Sequence, residues 1–409
     1  MNAGTSLLAF TAQPLCPLPP AKLAEAIALS HWRTGLYFAG TAWIVLALWL
    51  LVRLRVGAAI ARLAERVSTN AWLQGLIAIP LWGLLYSAIT IPVAMLGHHV
   101  ALRFGLSIER WPAWWLDWLK SSAITLAFGI VALSILYGIM RRSPRRWWIW
   151  FWAITIPLEV VATWAAPLVI DPLFNHFTPL AQSNPALVEQ LERVAARGGL
   201  NIPPSRIFLM DASTRVTGAN AYVTGLGASK RIVVWDTTLK IETPNEILFT
   251  YGHEQGHYVL EHIQKGLLFF AAMMLVGFWL AYWLMNWLVR QYGEAWGIRA
   301  VEDWASLGLL LLVMTVLGFV AEPIGNAFSR WEEHAADVYG QEVIHGLVPD
   351  AQGATVRSFQ RLGEMWLDVP DPNPLVVFWT YSHPPTAARE EFAAGYDPWA
   401  NGERPRYVR

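Results

Sequence analysis

The sequence predicts a mainly α fold: a polytopic membrane helical bundle of about six spans, joined to an α+β part with a small sheet. Three observations predict it. Charged residues make up only 15% of the 409-residue chain, against about 25% in an ordinary soluble domain. Six apolar runs approach the roughly 20 residues that a helix needs to cross a bilayer core of about 30 Å. Several of the 24 tryptophans, among them Trp72, Trp111, Trp114, Trp115, Trp147, Trp148 and Trp150, sit at the ends of those runs, where an indole meets lipid on one side and water on the other. The formal net charge is zero, so no basic surface for nucleic acid is expected. The bilayer itself is an expected partner, and nothing in the sequence implies an oligomer. A single cysteine, Cys16, excludes an intrachain disulfide and a cysteine zinc cluster.

Taken in order, Met1–Cys16 carries Ser6-Leu-Leu-Ala-Phe without a basic flank. It reads equally as a signal-peptide remnant or a disordered leader. Pro14, Pro17, Pro19 and Pro20 close that segment, and Lys22–Ser30 reads as a short amphipathic helix leading into the first span. Spans are expected at Leu36–Val52, Leu73–Leu96, Ser122–Met140, Trp147–Ile170, Leu267–Val289 and Ser306–Ala321. The chain then divides into an N-terminal membrane part (1–170), a polar part (171–264), two further spans (265–325) and a C-terminal part (326–409). Glu159 lies inside the fourth span. It reads equally as a functional group within the membrane or as the partner of a neighbouring helix.

The polar part has a local reading. Leu187, Leu191 and Val194 recur at helical spacing, and Ile207–Met210 reads as a strand. Ala221–Leu226 and Ile232–Trp235, separated by turn residues, read as a hairpin. Thr243-Pro-Asn-Glu246 then opens a helix: Thr243 can cap it, Pro244 suits the first helical position and Glu246 completes a capping box.

That helix carries His253-Glu254-x-x-His257. Two histidines four apart share a helix face and can bind one zinc, while Glu254 can take a proton from a water the metal activates. Ordinary surface histidines give the same pattern. A catalytic zinc needs a third protein ligand. Glu333 and Asp337, four apart, face one way on a helix after the sixth span. Glu333 can ligate while Asp337 orients a ligand histidine; the alternative is a solvated face in which Arg330 pairs with Glu333. Two spans lie between His257 and Glu333, and an even number returns the chain to the side it left. A site-2-type intramembrane arrangement fits poorly, because the motif helix also bears Glu246 and follows a polar hairpin.

Several separated stretches resemble one family. They are Ala166-Pro-Leu-Val-Ile-Asp-Pro-Leu-Phe-Asn-His-Phe-Thr-Pro-Leu, Asn220-Ala-Tyr-Val-Thr-Gly, Lys230-Arg-Ile-Val-Val-Trp-Asp-Thr-Thr-Leu, His253-Glu-Gln-Gly-His, Asn326-x-x-Ser-Arg-x-x-Glu333-x-x-x-Asp337 and Ser382-His-Pro-Pro-x-x-x-Arg389. Over about residues 70 to 395 the chain is similar to the membrane zinc metalloproteases of the type I CAAX prenyl protease (a-factor-converting enzyme) family. The resemblance implies a zincin-like, gluzincin-type catalytic part with one Zn2+ per chain, held by His253, His257 and Glu333. It implies Glu254 as general base and acid, and Asn220-Ala221-Tyr222 as an edge strand that pairs with a polypeptide substrate. It further implies His383 as the oxyanion partner with Arg389 supporting it, and Asn326 as a support or substrate contact. On its residues alone, His383 before two prolines reads equally as a rigid turn. The chain departs from the eukaryotic members in having six spans rather than seven, and in His334 following Glu333, where a solvent-facing position is expected.

The short loops give two opposed expectations for the side. Arg53, Arg55, Arg62, Arg66, Arg141, Arg142, Arg145, Arg146, Arg290 and Arg299 fall on one side, and only Lys22, Arg33, Arg103, Arg110 and Lys120 on the side of the motifs. The charge rule puts the motifs outside the cytoplasm; the resemblance to the eukaryotic enzymes implies the cytosol. The expected function is a zinc endopeptidase acting on membrane-associated, prenylated or misfolded polypeptides, in a bacterial cell membrane rather than the endoplasmic reticulum. The alternative is a non-catalytic scaffold or channel with a relict metal site.

Overall fold

The computed structural model describes residues 18–200 and 202–408; the reading of Met1–Cys16 lies outside the described residues. Five helices come first: α1 (Pro20–Arg53), α2 (Val56–Val67), α3 (Ala71–Arg103), α4 (Trp111–Arg142) and α5 (Trp147–Ala165), the last prolonged by a π turn and a 3-10 turn to Leu173. The expected short helix Lys22–Ser30 is not separate. It is the first part of α1, because no helix breaker follows Pro20, and its buried Ala26 and Leu29 pack with Val100 and Leu106.

The polar part follows as β1 (Phe177–Pro179), α6 (Leu180–Ser183), α7 (Pro185–Arg197), β2 (Ile207–Met210), β3 (Ala221–Thr224), β4 (Arg231–Trp235), α8 (Asp236–Ile241) and α9 (Pro244–Val259). The sheet order is β1-β2-β4-β3, with β2 parallel to β4 and the outer pairs antiparallel. The expected hairpin is β3–β4, and β3 is an edge. The remaining helices are α10 (His262–Trp296), α11 (Leu307–Ile344), α12 (Ala351–Trp366), α13 (Pro374–Thr380) and α14 (Thr386–Gly395).

Six helical stretches are long and apolar enough to cross a membrane: Pro20–Arg53, Ala71–Arg103, Trp111–Arg142, Trp147–Leu173, His262–Trp296 and Trp304–Ile344. Each contains one expected span and is longer than it. At about 1.5 Å per residue, 33 residues run about 50 Å, so these helices outreach a bilayer core of about 30 Å. The consequence is largest for α11. The sixth span and the segment bearing Glu333 were expected as consecutive pieces; they are one 38-residue helix. Glu322 ends the apolar run without ending the helix, and its carboxylate accepts the Tyr37 hydroxyl of α1.

The two cores meet along α11. Its Leu307, Leu309, Leu310 and Val313 belong to the membrane core around Trp82, Tyr137 and Trp304, while Tyr339, Val343 and Ile344 belong to the core beneath the sheet. The arginine-rich ends gather at the membrane end of the bundle: Arg299 pairs with Glu65 of α2 and Asp303, and Arg55 Nε donates to the Ala295 carbonyl. Glu159 is half-buried on α5, and no hydrogen-bond or ion-pair partner for it appears among the described residues.

Candidate active site

The motif helix is seated before it reaches its histidines. The Thr243 N–H donates to Glu246 Oε2 at 2.8 Å, and the buried Glu246 carboxylate meets Arg361 Nε at 2.7 Å. Four residues apart on α9, His253 and His257 bring their Nε2 atoms within 3.1 Å of each other. Glu333 of α11 faces both, with Oε2 at 3.3 Å from His253 Nε2 and Oε1 at 3.5 Å from His257 Nε2. All three donor atoms lie within 4.8 Å of one another, so the group can hold a metal ion. Two imidazole nitrogens and one carboxylate are a donor set that suits zinc and leaves a position open.

The helices approach this closely because small residues face each other. A Cβ added at Gly256 would meet Ala336 Cα at 3.1 Å, and one at Gly340 would meet the His253 backbone nitrogen at 2.9 Å. Gly252 and Gly256 on α9 therefore nest against Ala336 and Gly340 on α11.

Around the donors, each ligand histidine has a second partner. His253 Nδ1 lies 2.9 Å from Asp337 Oδ1, and His257 Nδ1 lies 2.9 Å from His262 Nδ1. Arg389 donates to both Asp337 oxygens, at 2.9 and 2.6 Å, a two-pronged charge-assisted contact. The expected role of Arg389 is to support His383; its guanidinium here is held by Asp337. Burial alone would depress His253, but Asp337 and Glu333 raise it to about 10, so the cluster favours a positive charge.

Glu254 points to the sheet. Its Oε2 accepts the Val223 N–H of β3 at 3.1 Å, so an edge-strand amide is turned onto the carboxylate rather than onto β4. Burial pushes this carboxyl up to about 7, against the pull of His253. Asn220 and Ala221 line an 80 Å³ cavity together with His253, Glu254, Glu333, His383 and Arg389. The Tyr222 side chain turns to the other face of the sheet, where its hydroxyl meets Met210 Sδ at 3.8 Å. A larger space, about 700 Å³, opens beyond Asn220, His383 and Arg389 and reaches Arg33 and Tyr37 of α1.

His383 reaches the site from the loop before α14. It is exposed, its Nε2 lies 3.3 Å from Glu333 Oε2, and Ser382 Oγ lies 2.9 Å from its Nδ1. Asn326 is not among the donors: its Nδ2 donates to the Trp379 carbonyl at 2.6 Å, tying α11 to the end of α13. Arg330 does the same through the Val377 and Tyr381 carbonyls. Among the described residues it makes no ion pair with Glu333; the Val377 and Tyr381 carbonyls take its guanidinium. His334 is exposed and packs edge-on against Phe392.

Sequence reasoning missed three features here. The glycine nest was visible as Gly252-x-x-x-Gly256, read only as part of the motif. His262 stands five residues after His257 and gave no periodic signal. Glu242, which lines the small cavity, accepts hydrogen bonds from Thr250 and Ser358 and had no motif around it.

Residues 181–396 match the family description "Peptidase family M48" and residues 20–176 match "CAAX prenyl protease N-terminal, five membrane helices"; in this chain that second range holds four helices long and apolar enough to span, and the short α2. The chain is 32% identical over 382 residues to the uncharacterized metalloprotease YhfN of Bacillus subtilis (strain 168), covering 93% of this chain and 88% of that one. It is 27% identical over 339 residues to CAAX prenyl protease 1 of Saccharomyces cerevisiae, covering 79% and 72%. The crystal structure of S. mikatae Ste24p superposes with a TM-score of 0.79 at 22% identity over 95% of this chain and 93% of that one, which shows a shared fold. With a family match over more than half of the chain, a relative matched along nearly its whole length and six helices able to span a membrane, the chain belongs to peptidase family M48 and is a multi-pass membrane metalloprotease.

Proposed function

We propose that the protein is a zinc-dependent endopeptidase of a bacterial cell membrane that hydrolyses membrane-associated polypeptides, prenylated (CAAX) or misfolded chains among them. The observation that carries the reading is the convergence of His253 Nε2, His257 Nε2 and Glu333 with Glu254 beside them and a sheet edge against Glu254. Zinc in such a site lowers the pKa of water and polarises a carbonyl. Glu254 is the group that takes the proton from the attacking water and delivers it to the leaving amine; a carboxyl poised near neutrality suits both tasks. His383, with Nε2 free to turn from Glu333 to substrate, donates to the developing oxyanion. An extended peptide lies along the outer edge of β3, at Asn220-Ala221-Tyr222, as an added strand. The 700 Å³ space reaching α1 gives a lipid-tethered or apolar chain a way in from the bilayer. The bacterial assignment is supported by the Bacillus relative, which matches nearly the whole chain.

The test compares detergent-purified wild type with Glu254→Gln on casein and on a prenylated peptide, with zinc content measured on the same samples. Glu254→Gln keeps about one zinc per chain and loses about 10²- to 10⁴-fold in rate, and a chelator abolishes the wild-type rate. A Glu254→Gln protein that cuts as fast as wild type ends this reading.

A further inference from the structure

We infer that His262 is the positioning residue for His257: it accepts the Nδ1 proton of that ligand and so fixes its tautomer and ring angle. The inference rests on the zinc reading above.

The two ligand histidines form a pair. Both turn Nε2 toward Glu333. A neutral imidazole has one N–H, so a ring that offers the Nε2 lone pair to a metal carries its proton on Nδ1, and that proton needs an acceptor. For His253 the acceptor is Asp337, 2.9 Å away. For His257 the atom in the matching place is His262 Nδ1, also 2.9 Å away. His262 therefore presents an Nδ1 lone pair and holds its own proton on Nε2.

Charge explains why the two acceptors differ. Glu254, Glu333 and Asp337 already bring three carboxylates to the site, and Arg389 with a dication balances them. A second carboxylate acceptor would leave an excess buried charge, which is costly. A neutral imidazole supplies the lone pair without it.

The backbone is bent to make this contact. On a continuous α-helix, residues five apart point about 140° away from each other, so His262 could not face His257 if α9 simply continued. The helix instead ends at Val259, and Glu261 takes φ +57°, a left-handed conformation unfavourable for a residue with a Cβ. Helix α10 starts anew at His262, a residue 4% exposed whose ring lies between His257 and Trp331 of α11. The first residue of the fifth span thus touches the metal site.

The test measures zinc affinity by chelator competition on the full-length purified protein, beside the melting temperature of each chelated sample. In asparagine, Oδ1 occupies the place of histidine Nδ1, so His262→Asn keeps an acceptor and His262→Phe removes it. His262→Phe weakens zinc binding about 10- to 100-fold while His262→Asn stays within about threefold of wild type. Equal zinc affinity in His262→Phe and wild type overturns the inference. So does a His262→Asn protein that binds as weakly as His262→Phe. If His262→Phe fails to fold, the asparagine variant alone decides, by keeping or losing the affinity. His257→Ala separates this from the parent reading: if wild type and His257→Ala bind zinc equally poorly, the zinc site itself fails, and this inference with it.

Discussion

The two helices that supply the donors differ in what fixes them. Helix α9 is 16 residues long, starts at a hydrogen-bonded Thr243–Glu246 turn and buries Ile247, Leu248, Phe249 and Tyr251 beneath the sheet. Short-range chemistry is enough to define its start, its face and the spacing of His253 and His257. Helix α11 is more than twice as long and reaches Glu333 only after crossing the membrane core. Its register is set far from its own start: Gln341 donates to the Ala393 and Tyr396 carbonyls, and the buried Glu342 accepts the Tyr407 and Val408 amides of the C-terminal segment. Two ligands are therefore placed by local rules and the third by contacts across the fold. Changes in α11 that never touch a ligand are expected to act on the metal site as strongly as changes near it.

The largest effect is expected at the glycine nest. In Gly340→Ala the new Cβ would sit 2.9 Å from the His253 nitrogen and 3.1 Å from its Cα, and backbone cannot give way as a side chain can. The helices must part, moving Glu333 from the histidines. Displacement of about 1 Å costs about 10²-fold in rate, and overpacking costs about 1–3 kcal/mol of stability. Gly266→Ala on α10, with nothing within 4 Å of its Cβ, is the matched control. Zinc content and cleavage at wild-type levels in Gly340→Ala would show that this contact does not set the register.

A smaller effect is expected at Asp337, where α11 reaches the far side of a ligand on α9. Asp337→Asn keeps a carbonyl near His253 Nδ1 but gives up the charge that Arg389 holds in place. Zinc affinity should fall about 10- to 100-fold, read by competition with a chromogenic chelator. Unchanged affinity would mean that His253 is oriented by its own helix alone.

A third effect, on the stability of the fold and not on the metal site, belongs to the approach to α9. Burial raises the Glu242 carboxyl to about 7, even with Thr250 and Ser358 donating to it. Its value in the unfolded chain is about 4.3. The fold favours the protonated form, so this group's contribution is most favourable below about pH 4.3, declines as pH rises to about 7 and is level above that, a change on the order of 3 kcal/mol. Melting curves across that window should show the decline in wild type and lose it in Glu242→Gln. Parallel curves for the two proteins would contradict it.

The same comparison explains what was legible in the sequence. The centres of all six spans could be read because lipid demands a long apolar run, and the motif helix because Thr243, Pro244 and Glu246 signal its start. The hairpin was legible from its flanking turn residues. The far ends of the spans were not, because polar residues such as Glu322 continue a helix as readily as apolar ones do. Strand β1, three residues including Pro179, carries no alternation to detect. Arg389 could be singled out but its partner could not, since only the fold brings it to a carboxylate 52 residues away. His262 needed a break at Glu261 that nothing local announces: neither Leu260 nor Glu261 is a turn residue.

The fork of Arg389 on Asp337 also has a consequence in time. A ribosome that has made α9 has made two of the donors, but the third awaits insertion of α10 and α11, and its bracing awaits residue 389. Until then, the growing chain at the insertion machinery is a membrane protein without a completed cutting centre.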